Sequence, residues 1–293
     1  MLKNKRELIG KVATFLIVNI LTPIVIFLTL TTTEYALPFS MIFQILLVES
    51  ASVGFCWITT YYILRNKIED RKKLGSYMFL NGFPNVMIYG IPIVIAFFNE
   101  TLIVIPVIFA SGALFLRGTL GMYIGEKFGA DISLSFKDTI KRLFTFPPLL
   151  GIIAGVIAMN LDFNTSILIS IKDILSPFYS GLGAVLIGLI LSKIAANEIK
   201  LYSKDILIVA IWRFLLSFVF FLCVVFLLHF PTDQTEIRTI LLIAVIGPPA
   251  VMNVSFAMYF KLDEKFAAMS VATITLVALI LLPIIIYFGT NFF

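Results

Sequence analysis

The chain is poor in the side chains that carry enzyme chemistry. It has one histidine and two cysteines, and only 13% of its 293 residues are charged. It has no His-Glu-x-x-His zinc motif, no Gly-x-Ser-x-Gly elbow and no phosphate loop. Only one acidic residue, Glu49, lies deep within an apolar run, and a lone intramembrane carboxylate cannot supply the acid and base pair that hydrolysis needs. No cofactor or metal is therefore expected. Cys56 and Cys223 both sit in apolar runs, where they act as small hydrophobes, so no disulfide is implied.

What is abundant is apolar surface. With 60% hydrophobic residues and a mean hydropathy of +1.05, the sequence is too apolar for a soluble globule and reads as an all-α polytopic membrane protein. A span needs about 20 apolar residues. Such runs fall at 12–30, 38–64, 76–98, 102–125, 145–160, 166–192, 205–230, 237–260 and 265–288, giving about nine transmembrane helices. The basic start runs directly into the first span with no small-residue cleavage site, which reads as a retained helix. The net charge of +5 is not a nucleic-acid signal, because Lys and Arg gather in alternate connections. Apart from Arg117 and Arg213 within spans, only Lys172 and Arg238 fall on the other side. That asymmetry puts the N-terminus in the cytoplasm and the C-terminus outside, in a cytoplasmic membrane.

Two of the spans are broken near their middles, by Asn81-Gly82-Phe83-Pro84-Asn85 through Gly90-Ile91-Pro92, and by Gly247-Pro248-Pro249 through Asn253. Irregular backbone at membrane depth survives only inside protein or along a wet cavity. Paired breaks in the two halves of a chain point to a transporter's binding site. The seam falls in the long connection 126–144, with four spans ahead of it and five after. Restoring one helix to the front gives an ancestral 5+5 inverted repeat, each half with its fourth helix interrupted. Glycines at 118, 121, 125, 151 and 155, with Ala184 and Gly188, read as close-packing faces.

At these breaks the sequence resembles the auxin efflux carrier family, within the bile acid/sodium symporter-like class of secondary transporters. Asn85-Val-Met-Ile-Tyr-Gly90-Ile-Pro92 fits its Asn-then-Gly-x-Pro pattern, and Pro248 to Ala257, with the following Lys261-Asp263-Glu264-Lys265 turn, is similar to its second broken helix. Phe146-Pro147-Pro148-Leu149-Leu150-Gly151 is similar to the start of its second repeat, and Pro283 matches the proline late in its last span. Members open with an extra helix, and Met1 stands where their second begins. The resemblance implies a scaffold (1–37 and 128–200), a transport bundle (38–127 and 201–293), two broken helices crossing at mid-membrane, elevator-type alternating access and a homodimer. It implies a secondary active transporter moving a small organic anion, a carboxylate, with proton or sodium as coupling ion. The alternatives are a sodium-coupled carrier of the bile acid type and a membrane sensor that binds without moving its ligand.

The candidate substrate residues are Asn81, Asn85, Tyr89, Gly90, Pro92, Pro248, Pro249 and Asn253. Half-helix ends there offer N–H groups to carboxylates and carbonyls to cations, while the asparagine amides do both. The candidate coupling or ion residues are Glu49, Ser111, Arg117 and Arg213. An ionisable group inside a membrane is a functional candidate by default, and a carboxyl that can take up a proton suits a proton carrier. Arg117 and Arg213 lie about 11 Å inside the cytoplasmic ends of their helices, within snorkelling reach. The sharper alternative is that one pairs with Glu49 or draws in an anionic substrate. Ser111 and His229 read more simply as packing and interfacial residues.

Overall fold

The computed structural model describes residues 9, 12–13, 15–32, 38–129, 145, 147–159, 161, 164–191, 200–228 and 235–292. His229, Phe146 and most of the 126–144 seam lie outside them. Among the described residues every named element is a helix, and there is no strand beyond one isolated bridge. The protein is an all-α membrane protein. Helix occupies part of every run where a span was expected, and four helices are long and apolar enough to cross a membrane by themselves.

In chain order, α1 is Thr22–Thr32 and α2 is Phe39–Leu64. The first broken helix is α3, Arg71–Gly82, continued after an extended stretch and a wide turn, Val86–Gly90, by α4, Ile91–Phe97. Next come α5, Val104–Phe128, α6, Pro147–Ala158, α7, Ser166–Leu191, and α8, Ser203–Leu227. The second broken helix is α9, Thr235–Ile246, and α10, Met252–Tyr259, followed by α11, Glu264–Phe292.

Two packing groups are evident. Helix α1 lies against α6 and α7. The α1–α6 approach is close enough that a Cβ on Gly151 would run into the Pro23 backbone, and one on Gly155 would press on Leu30. This is the small-residue packing expected between membrane helices. The larger group joins α2 to α5 and α8 to α11 around the two broken helices. Of the four long apolar helices, α5 is the most enclosed. Gly125 of α5 admits the ring of Phe260, just past the end of α10, and Gly82 at the end of α3 admits the Trp57 indole of α2.

Polar groups stitch the end of the bundle where the basic connections lie. Asp70 caps α3 by accepting from the Lys72 amide. Asp205 of α8 takes an ion pair from Lys73 at 2.8 Å and a hydrogen bond from the Tyr77 hydroxyl at 2.6 Å, tying α8 to α3. Ser76 donates to the Asp263 carbonyl, and the Arg71 guanidinium donates to the Lys127 carbonyl.

Candidate functional site

The two breaks meet. Pro84 and Pro249 face each other in an antiparallel bridge, with the Asn85 amide donating to the Pro248 carbonyl at 2.7 Å and the Ala250 amide to the Phe83 carbonyl at 2.9 Å. The Asn253 amide nitrogen also donates to the Phe83 carbonyl, at 3.0 Å. A two-residue β-like contact therefore joins two interrupted helices in the bundle's interior, where every backbone group must find a partner.

The remaining carbonyls explain Arg213. In an unbroken helix the Val245 carbonyl would accept from residue 249, but that residue is proline and has no N–H. The Asn81 carbonyl would accept from the amide of Asn85, which is committed to Pro248. Gly247 lies in the extended segment itself. All three are taken by one fully buried guanidinium: Arg213 Nε donates to Gly247 O at 2.8 Å, Nη1 to Asn81 O at 2.8 Å, and Nη2 to Val245 O. Arginine has five donors and no acceptor, so it suits a cluster of free carbonyls at the negative ends of two helices. Neither a snorkelling Arg213 nor an ion pair with Glu49 is what the structure places here.

Arg117 is the opposite case. It is 3% exposed, its guanidinium lies 4.5 Å from the centroid of the Phe83 ring, and Nη1 reaches Met252 Sδ at 3.4 Å. Its Nε and Nη2 make no hydrogen bond to a protein group. Asn85 is similar: its side-chain oxygen accepts from the Ile88 amide, while its Nδ2 is buried and unpartnered. Both residues line one cavity of about 40 Å³, bounded by Pro84–Ile88, Ala250–Met252, Ala110, Ala113 and Leu114 of α5, and Ile17, Thr22 and Tyr179 from the neighbouring group. That is room for a water or two and not for an organic solute. The buried, unsatisfied side-chain groups of Asn85 and Arg117 along this cavity are donors, an arrangement suited to an anion.

Glu49 is fully buried on α2. Its Oε2 accepts from Ser50 at 3.2 Å, and its Oε1 has no partner. Gly112 of α5 makes room for it, since a Cβ there would come within 2.9 Å of Oε2. Glu49 and Arg117 form no ion pair with each other. Ser52 and Cys56 continue its buried face, Cys56 lying 3.6 Å from the Ser217 hydroxyl of α8.

The other candidates are placed as follows. Asn81 donates to Thr60 Oγ1 at 2.9 Å, while its own Oδ1 and that of Asn253 are unpartnered. Pro248 gives its carbonyl to the bridge, and Pro92 opens α4 within its first turn, where a missing N–H is harmless. Gly90 meets only Val86 of its own turn. Tyr89 points away from the cavity and donates to the Ala278 carbonyl of α11 at 3.1 Å. Ser111 returns its hydroxyl to the Val107 carbonyl of its own helix at 2.7 Å. The sequence reading missed Trp57, whose indole N–H holds the Met78 carbonyl while its ring meets Phe83 edge-on. Gly82 makes room for that indole, but from 25 residues away the sequence gives no sign that the two meet.

No family model matches the chain. The chain is similar to an uncharacterized transporter of Methanocaldococcus jannaschii, with 24% identity over 281 residues that cover 94% of this chain and 88% of the relative. The likeness therefore extends across both broken helices.

Proposed function

We propose that this membrane protein is a transporter, and more finely a secondary carrier that moves a small organic anion by alternating access, in the manner of the auxin efflux carriers it resembles. The observation that carries this reading is the cavity at the crossing, where buried Arg117 and Asn85 present donors with no acceptor. The likeness to a relative described as a transporter supports the broader statement. The cavity would have to widen to admit a carboxylate, which would then satisfy Arg117 through its planar fork and Asn85 through its amide. Asn253 would flank it from the second broken helix, and Glu49, on the far side of α5, would exchange a proton during the cycle.

The cavity lies between the broken helices and the α1–α7 pair, so sliding one group past the other would carry it across the membrane. The bundle that would slide is 38–127 with 201–293, against a scaffold of 1–37 with 128–200, in a homodimer in the cytoplasmic membrane. Uptake of labelled mono- and dicarboxylates into proteoliposomes tests this. Accumulation that Arg117→Met abolishes supports it, whereas ligand binding without flux would make the protein a sensor.

A further inference from the structure

The crossing has two poles, and only one is open. On the donor pole, Arg117 and Asn85 border a cavity. On the carbonyl pole, Arg213 is closed in completely, with Nε, Nη1 and Nη2 each on a different main-chain oxygen. We propose that Arg213 is a resident cation: its guanidinium fills the carbonyl-lined position that a metal cation would otherwise need to occupy, so the crossing is held together without bound sodium or potassium.

Three observations carry this. The oxygens come from both interrupted helices, Asn81 from the first and Val245 and Gly247 from the second, so whatever holds them also holds the crossing. The Asn81 and Val245 carbonyls, at the negative ends of the two half-helices, are left without their helical donors by Pro249 and the bridge, and the Gly247 carbonyl lies in the extended segment just past the second. Among the described residues no carboxylate pairs with Arg213, and three carbonyls take its hydrogen bonds. Free carbonyls at helix C-termini within a transporter are a site for Na⁺ or H⁺. Here a covalently attached, always-charged fork takes that place.

The geometric part stands without the carrier reading. The consequence for coupling rests on it: anion movement should be indifferent to sodium and potassium. The test therefore has an arm that needs no substrate. Purified wild-type protein should show the same thermal stability in sodium, potassium and N-methylglucamine buffers. Arg213→Ala, which vacates the position, should lose roughly 10 °C and recover at least half of that with guanidinium chloride at millimolar levels, with smaller gains from sodium or lithium. Arg213→Lys, which keeps a charge but loses the fork, should fall between the two and serves if the alanine variant does not fold. In vesicles, wild-type uptake should not change when sodium is replaced. Wild-type stability that rises with sodium would overturn the proposal. So would an Arg213→Ala protein that is monodisperse and indifferent to every cation, or an Arg213→Lys protein as stable as wild type only when sodium is present. Absence of flux for every solute, with the thermal results as expected, would count against the carrier reading alone.

Discussion

Replacing Arg117 with methionine should make the empty protein more stable and the anion-bound protein weaker. Nε and Nη2 are buried with no protein partner, and a donor so placed costs about 1–3 kcal/mol, less where the cavity supplies it a water. Against this, the substitution gives up the guanidinium above Phe83, worth about 0.5–2 kcal/mol, and a weak contact to Met252 Sδ. An unbranched methionine fills most of the vacated volume. The balance favours the variant by about 1–2 kcal/mol, an apparent Tm higher by roughly 2–6 °C. A charge-assisted bond to a bound carboxylate is worth about 1.5–3 kcal/mol, so affinity should fall by about ten- to 150-fold. Thermal unfolding in detergent with and without a transported carboxylate reads both numbers, since ligand stabilisation scales with affinity. An Arg117 that merely braces the fold would behave in reverse. A lowered Tm with unchanged affinity would refute the argument.

Other substitutions separate the remaining roles. Asn253→Ala should cost about 1 kcal/mol of stability, because it removes the bond to the Phe83 carbonyl, with little change in carboxylate affinity, whereas Asn85→Ala, which removes the longer capping bond to the Ile88 amide, should cost no more than that and should weaken carboxylate binding. Equal behaviour in unfolding and binding assays would contradict that division. Glu49→Gln should abolish uptake driven by an imposed pH gradient while leaving substrate exchange largely intact, and an unaltered response to the gradient would remove Glu49 from coupling. Gly82→Ala places a methyl group against the Trp57 indole, which is pinned by the Met78 carbonyl, and should destabilise by about 1–3 kcal/mol in thermal unfolding.

Much of the crossing was legible because proline, glycine and asparagine interrupt otherwise apolar runs, and interrupted helices must be enclosed. What those residues touch was not. Hydropathy gives depth in the membrane but not direction around a helix, and helices that are apolar on every side have no polar face to orient them. Tyr89 thus looked available for a substrate and in fact turns to Ala278, while Ser111 satisfies itself on Val107. Arg117 and Arg213 looked alike, each a lone arginine in an apolar span. They differ because three carbonyls meet one and a small cavity meets the other, over sequence separations of 32 to 132 residues for Arg213. Counting which carbonyls Pro249 and the bridged Asn85 would orphan was the one route to Arg213 from sequence. It required knowing first that the two breaks touch.

The most direct measurement is uptake of labelled mono- and dicarboxylates into proteoliposomes under separately imposed proton and sodium gradients, for wild type and Arg117→Met. The account predicts accumulation of at least one carboxylate by the wild type, unaffected by removing sodium and lost in the variant. Flux of a neutral or cationic solute instead, or carboxylate flux that survives the loss of Arg117, would contradict it.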